Sequence, residues 1–152
     1  MYPDAQRHHE DRLAVDPNGQ AALVVPLGVG VHTLSASFAG IAPFTASTSA
    51  AVSETVNPAA TTTALSADVF ASSFVQFTIT VLPVAPGAGV PTGTVTFFDG
   101  TQVVGTGILD ANGQAALFVT SLAAGKHTLT ASYSGDSDFL ASVSAPFVLT
   151  VL

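Results

Sequence analysis

The sequence predicts an all-β chain folded as an antiparallel two-sheet sandwich, one complete domain preceded by part of another. Three observations carry this expectation. The stretch Asp110–Ser134, DANGQAALFVTSLAAGKHTLTASYS, repeats the earlier Asp16–Phe38, DPNGQAALVVPLGVGVHTLSASF. With one extra residue in the second copy, the match runs on to Val56 and Val151, with 23 identities over the 41 positions Asp16–Val56. The offset is 94 residues at Asp16/Asp110 and 95 at His32/His127. That is one domain, so the repeat is a tandem of domains rather than a short solenoid unit. Apolar residues alternate with Thr, Ser and Gln at period two, the signature of half-buried strands. Gly, Pro and Asx turn signals separate these runs, and no stretch carries a helical period.

Residues 1–12 are polar, without a period of two or 3.6, and are expected to be a disordered head. His8-His9-Glu10-Asp11 has the residue types of a metal cluster, but neighbours in a flexible tail lack the fixed geometry one ion requires. Residues 13–56 are expected to be the C-terminal half of a repeat. Asp16-Pro17-Asn18-Gly19 is a turn, and Gln20–Pro26, Val31–Phe38 and Thr48–Val56 then read as three strands. Residues 57–60 read as a linker, stiffened by Pro58.

Residues 61–152 read as the complete domain. Thr61–Ala67 is a Thr-rich opening strand. In Val75–Val81, Val75, Phe77, Ile79 and Val81 alternate with Gln76, Thr78 and Thr80. Pro83–Pro91 is a loop. Gly93–Phe98 and Thr101–Leu109 flank a hairpin turn at Asp99-Gly100. Asp110-Ala111-Asn112-Gly113 turns again into Gln114–Thr120, with Gly113 supplying the positive φ. Gly125 opens Lys126–Ser134, whose inward residues are His127, Leu129, Ala131 and Tyr133. The last strand, Ser142–Leu152, is expected to point Ala145, Phe147, Leu149 and Val151 inward. Seven short antiparallel strands fit a sandwich.

TTTALSA, PTGTVTFFDGTQVVGTG, DANGQAAL, LAAGKHTLTASYSGDSDF and the closing SAPFVLTVL follow one another in this chain. Together they resemble the bacterial Ig-like domain repeats of large surface and secreted proteins. The resemblance covers 61–152 fully and 13–56 as the second half of a repeat. It implies an immunoglobulin-like sandwich, a stalk or adhesin segment, an extracellular or cell-surface location, and neighbouring Ig-like repeats as partners. The first repeat departs from the pattern. It lacks the N-terminal strands, has Ile41-Ala42-Pro43 in place of Asp136-Ser137-Asp138, and has Glu54 in place of Leu149. It is expected to be less stable than the second, in a chain that is a piece of a longer array.

Composition narrows function further. The chain has 152 residues, is 48% hydrophobic and 9% charged, and carries a net charge of −7. Its three cations are Arg7, Arg12 and Lys126. Nucleic-acid binding needs clustered cations, so it is excluded as a partner class. The lack of cysteine removes disulfides, thiolate metal sites and thiol nucleophiles. No apolar run is long enough for a membrane helix, so membrane insertion is not expected. MYPDAQRHHEDR has no apolar signal core, so an export signal would lie outside this chain.

Few residues could carry chemistry. His32 and His127 share the position L-x-x-G-x-H. There a ring can hydrogen-bond back to the preceding loop, as in the tyrosine corner of Ig-like domains. A catalytic histidine needs a nucleophile and an orienting acid, and no G-x-S-x-G accompanies either one. Asp110, Asn112, Asp136 and Asp138 are weak calcium candidates: oxygen ligands on turns, but short of the six or more that calcium takes. Asx side chains capping their own turns explain the same residues. Phe97, Phe98, Phe118, Tyr133, Phe139 and Phe147 fall mostly on inward phases and read as core. Phe98 and Phe118 are out of phase, and one of them is expected at the surface. The sequence therefore points to a spacer without enzymatic activity or cofactor. The alternative is a module that binds a glycan or host protein through loops at one end.

Overall fold

The computed structural model describes residues 13–71, 74–120 and 122–151. The expected head, with its His8-His9-Glu10-Asp11 run, lies outside them. The described chain is all β, with antiparallel ladders and no helix.

In the first repeat, β1 (Gly30–Leu34) pairs with β4 (Val52–Val56), and β2 (Ser37–Phe38) with β3 (Ser47–Thr48). The second repeat builds two sheets. One has the order β5 (Thr61–Ala71), β6 (Phe74–Pro83), β9 (Gln114–Val119). The other runs β10 (Gly125–Tyr133), β7 (Thr94–Asp99), β8 (Gln102–Ile108). Its far edge of β10 is covered in turn by β11 (Ser142–Val143) and β12 (Phe147–Val151). This is an immunoglobulin-like sandwich.

The core is what the alternation dictates. Val75, Phe77, Ile79 and Val81 of β6 face Val95 and Phe97 of β7 and Leu129, Ala131 and Tyr133 of β10, and all are buried. Phe77 and Phe97 meet across the sheets with ring centroids 6.3 Å apart. The edges close tightly: a Cβ on Gly105 of β8 would sit 2.7 Å from Leu117 of β9. A larger residue there would have to push the Leu117 side chain aside.

Several expectations are corrected. Gln20–Pro26 forms no strand. Its counterpart β9 is a strand because β6 pairs with it from Thr80↔Gln114 to Val75↔Val119. Among the described residues the first repeat has no counterpart of β6, so the same sequence has no ladder to join there. Val31–Phe38 is interrupted between β1 and β2, whereas β10 runs unbroken. In both copies a serine hydroxyl intrudes at the same place, accepting from an alanine amide at 3.0 Å: Ser49 to Ala36 and Ser144 to Ala131. β10 survives this because β7 pairs with its other edge through Ala131. The same serines split the expected closing strands into β3 and β4, and into β11 and β12. Ala145 consequently leaves the ladder and is exposed rather than inward.

The linker is also shorter than expected. Ala59 donates to Asp138 O and accepts from Leu140 N, both at 2.8 Å, and Ala60 O accepts from Val84 N. Two of the residues 57–60 are thereby tied into the second unit. No ladder joins 13–56 to 61–152 among the described residues.

Candidate functional site

His127 sits where β10 begins, at the pole of the sandwich away from Thr61. Its Nε2 is 2.8 Å from Ala123 O in the preceding loop, and its Nδ1 is 2.6 Å from Asp99 Oδ2 at the end of β7. Asp99 Oδ1 also accepts from Thr128 N at 3.2 Å. A ring held between two acceptors satisfies both only when both nitrogens carry hydrogen, so the geometry favours imidazolium. The hydrogen bond to Asp99, with that to Ala123, raises the His127 pKa above its ordinary value. His32 makes the same backward bond, Nε2 to Gly28 O at 2.7 Å, but its ladder partner on β4 is Glu54, where that of His127 on β12 is Leu149. A His–Asp pair has the look of a catalytic dyad. However, a triad's nucleophile would occupy Nε2, and here a backbone carbonyl holds it.

The loop acids lie at the opposite pole. Asp110 Oδ1 accepts from Asn112 N at 2.8 Å and Gln114 N at 2.9 Å, and these bonds, Gln114 first, lower its pKa. Asp16 caps its own turn identically, through Asn18 N and Gln20 N. Gly113 follows with φ 71°, and a Cβ there would lie 2.8 Å from Val81 O. Asp136 Oδ1 accepts from Asp138 N and Phe139 N, and its Oδ2 from Thr92 N and the Thr92 hydroxyl. Burial opposes its ionisation. The Thr92 hydroxyl and the three amides outweigh that and hold the carboxyl at about 2. Tyr133 donates its hydroxyl to Thr92 O at 2.7 Å. Burial, reinforced by the Asp136 charge, pushes that phenol up to about 12. Oxygen lone pairs spent on amides in this way are not free for calcium. Among the described residues no group of three or more His, Asp or Glu side chains is placed to hold a metal ion. Gly125 sits at φ 139° as β10 begins, a backbone conformation suited to glycine.

The surface feature that stands out is aromatic. Phe70 and Phe118 are 62% and 57% exposed. Phe74 lies between them: its ring centroid is 5.7 Å from Phe70 and 6.0 Å from Phe118, nearly parallel to the latter at 20°. The three rings form a row across β5, β6 and β9, near the His127 pole. Cross-strand aromatic pairs of this kind also stabilise a sheet on their own account.

A family profile described as bacterial Ig-like domain (group 3) matches residues 61–152. The chain belongs to the bacterial Ig-like domain family. Domains of this family are generally non-catalytic structural modules of surface or extracellular proteins. A search of the curated proteins found no match.

Within this Ig-like chain, the sequence-level candidates fall into separate places. His127 is at one pole, and Asp110, Asn112, Asp136 and Asp138 surround the other. Leu129 and Tyr133 are in the core between them. An open cleft lies where Leu27 and Val29 of the first repeat and Asn57 of the linker face Pro86, Val90 and Phe139 of the second, with Asp138 its one ionisable side chain. Sequence reasoning missed the aromatic row and the partnership of Asp99 with His127. One of Phe98 and Phe118 was expected at the surface, and it is Phe118; Phe70 and Phe74 went unnoticed, because Ala71-Ser72-Ser73 between them carries no Asn-Gly or Pro-Gly turn signal. A Phe-x-x-x-Phe pair around small polar residues was the signal that could have found them.

Proposed function

We propose that residues 61–152 are a non-catalytic spacer from a multi-repeat, adhesin-like protein of a bacterial cell surface or secretome. The observation that supports this reading best is the path of the chain. It enters at Thr61, paired with Pro83 at one pole, and leaves at Val151, paired with Gly125 at the other. Entry and exit at opposite ends string such units end to end, each adding its own length. The repeat of 13–56 in 110–151 places the same half-unit on both sides of the junction, so neighbouring Ig-like repeats are the partners. Small-angle scattering of one, two and three linked 61–152 units tests this. The maximum dimension should grow by a constant step per unit, and a compact particle of unchanged length would sink the spacer reading.

A second reading has its own support. The Phe70, Phe74 and Phe118 row lies at one end of the sandwich, where a glycan or a host protein surface could stack. Titration with soluble glycans and with extracellular-matrix proteins separates the readings. Saturable binding lost in Phe118→Ala, with melting unchanged, would favour the ligand-binding module.

A further inference from the structure

The first repeat keeps the local structure of the second while lacking its cover. Its Asx cap at Asp16, its backward histidine bond at His32 and its intruding Ser49 reproduce those at Asp110, His127 and Ser144. The register of β1 on β4, Gly30↔Val56 to Leu34↔Val52, reproduces that of β10 on β12, Gly125↔Val151 to Leu129↔Phe147. Yet Leu34 is 43% exposed where Leu129 is 2%, and Phe38 is 36% exposed where Tyr133 is 0%. Leu23, Val24 and Val25 are exposed as well. What covers the second copy is visible: β6 on β9, and β7 on β10.

We propose that residues 13–56 are the acceptor half of an Ig-like sandwich, completed by a polypeptide segment of the β5–β8 kind. The occupant follows from the repeat itself. A β6-like strand would seat on Gln20–Val25 in the register that sets Phe77 opposite Leu117, here Leu23. A β7-like strand would seat on Leu34–Phe38 in the register that sets Val95 opposite Tyr133, here Phe38. The required chemistry is an alternating strand, Val-x-Phe-x-Ile-x-Val, able to supply a ladder and a row of apolar side chains together. A carboxylate in the place of Asp99 would come to His32 as Asp99 comes to His127. The completed half would be held chiefly by apolar burial. Phe38 lacks the hydroxyl that Tyr133 gives to Thr92, and Ile41 lacks the carboxylate of Asp136. The proposal does not depend on the spacer reading, since a ligand-binding module could carry the same open half.

The test adds the polypeptide 61–108 in trans to the isotopically labelled full chain and follows amide exchange. At saturation, exchange across 20–25 and 30–38 should slow by on the order of a hundredfold, as cooperative protection replaces local fraying. A Leu23→Asp/Leu34→Asp chain should lose that protection while its 61–152 unit melts as before, because both positions are already exposed. A probe carrying Phe77→Asp and Ile79→Asp should also fail. Unchanged exchange at saturation overturns the proposal. So does equal protection in the Asp variants, which would mark non-specific sticking. A dimeric full chain that protects 20–38 unaided, with the 61–108 segment of each copy still in its own sandwich, overturns it too, by making another face of a second copy the occupant.

Discussion

His127 is one of only three buried polar side chains in the described chain, and its two partners set its charge. Because its pKa is raised above 6.5, the fold favours the imidazolium. That contribution is complete below about pH 6.5 and is lost as pH rises through the folded-state pKa. Asp136 has the opposite sense. Held at about 2 against an ordinary 3.8, it contributes above pH 3.8 and loses that contribution as pH falls toward 2. The melting temperature should therefore fall on going from pH 6 to pH 8, and His127→Gln should flatten that fall. An equal fall in the variant would show that another group carries it. The loop acids allow a companion prediction: since Asp110 and Asp136 spend their oxygens on amides, adding calcium or a chelator should leave the melting curve in place. A rise of several degrees with calcium would make them ligands.

At the scale of the element, two strands of nearly one sequence test what burial is worth. Leu129 and Leu34 occupy the same repeat position, each paired on one side, to Phe147 and Val52. Only Leu129 is covered by β6 and β7. Leu129→Ala should cost roughly 2–5 kcal/mol, and Leu34→Ala should stay within about 0.5 kcal/mol. Urea unfolding of both variants checks this, and a large loss at Leu34 would mean that β1 is covered in solution. The same contrast shows where sequence reading ended. The period of two placed Val75, Phe77, Ile79 and Val81 correctly, and placed Leu129, Ala131 and Tyr133 correctly, because alternation is local. It also made a strand of Gln20–Pro26, which alternation alone cannot sustain without a partner strand. Asp99 lies 28 residues from His127, and only the pairing of β7 with β10 brings them together. Phe70, Phe74 and Phe118 come from three strands, and no single window of sequence holds the row.

At the scale of the whole molecule, the two repeats share sequence without sharing a ladder, and the tie between them is narrow. Ala59 makes two backbone hydrogen bonds to the 138–140 loop, and Ala60 one to Val84. These belong energetically to the 61–152 unit, although they precede the first strand of its sheet. Removing residues 1–56 should therefore leave the melting temperature of the sandwich within about 2 °C, since no ladder or core residue is lost. Starting the chain at Thr61 instead removes three backbone bonds. At about 1 kcal/mol each, and about 4–8 °C per kcal/mol for a domain of this size, the loss should exceed 10 °C. Calorimetry on the two truncations separates the cases. If both melt alike, Ala59 and Ala60 are passive linker. If removal of 1–56 alone already destabilises the sandwich, the half-repeat and the domain share cover that the ladders do not reveal, and the two repeats fold as one body.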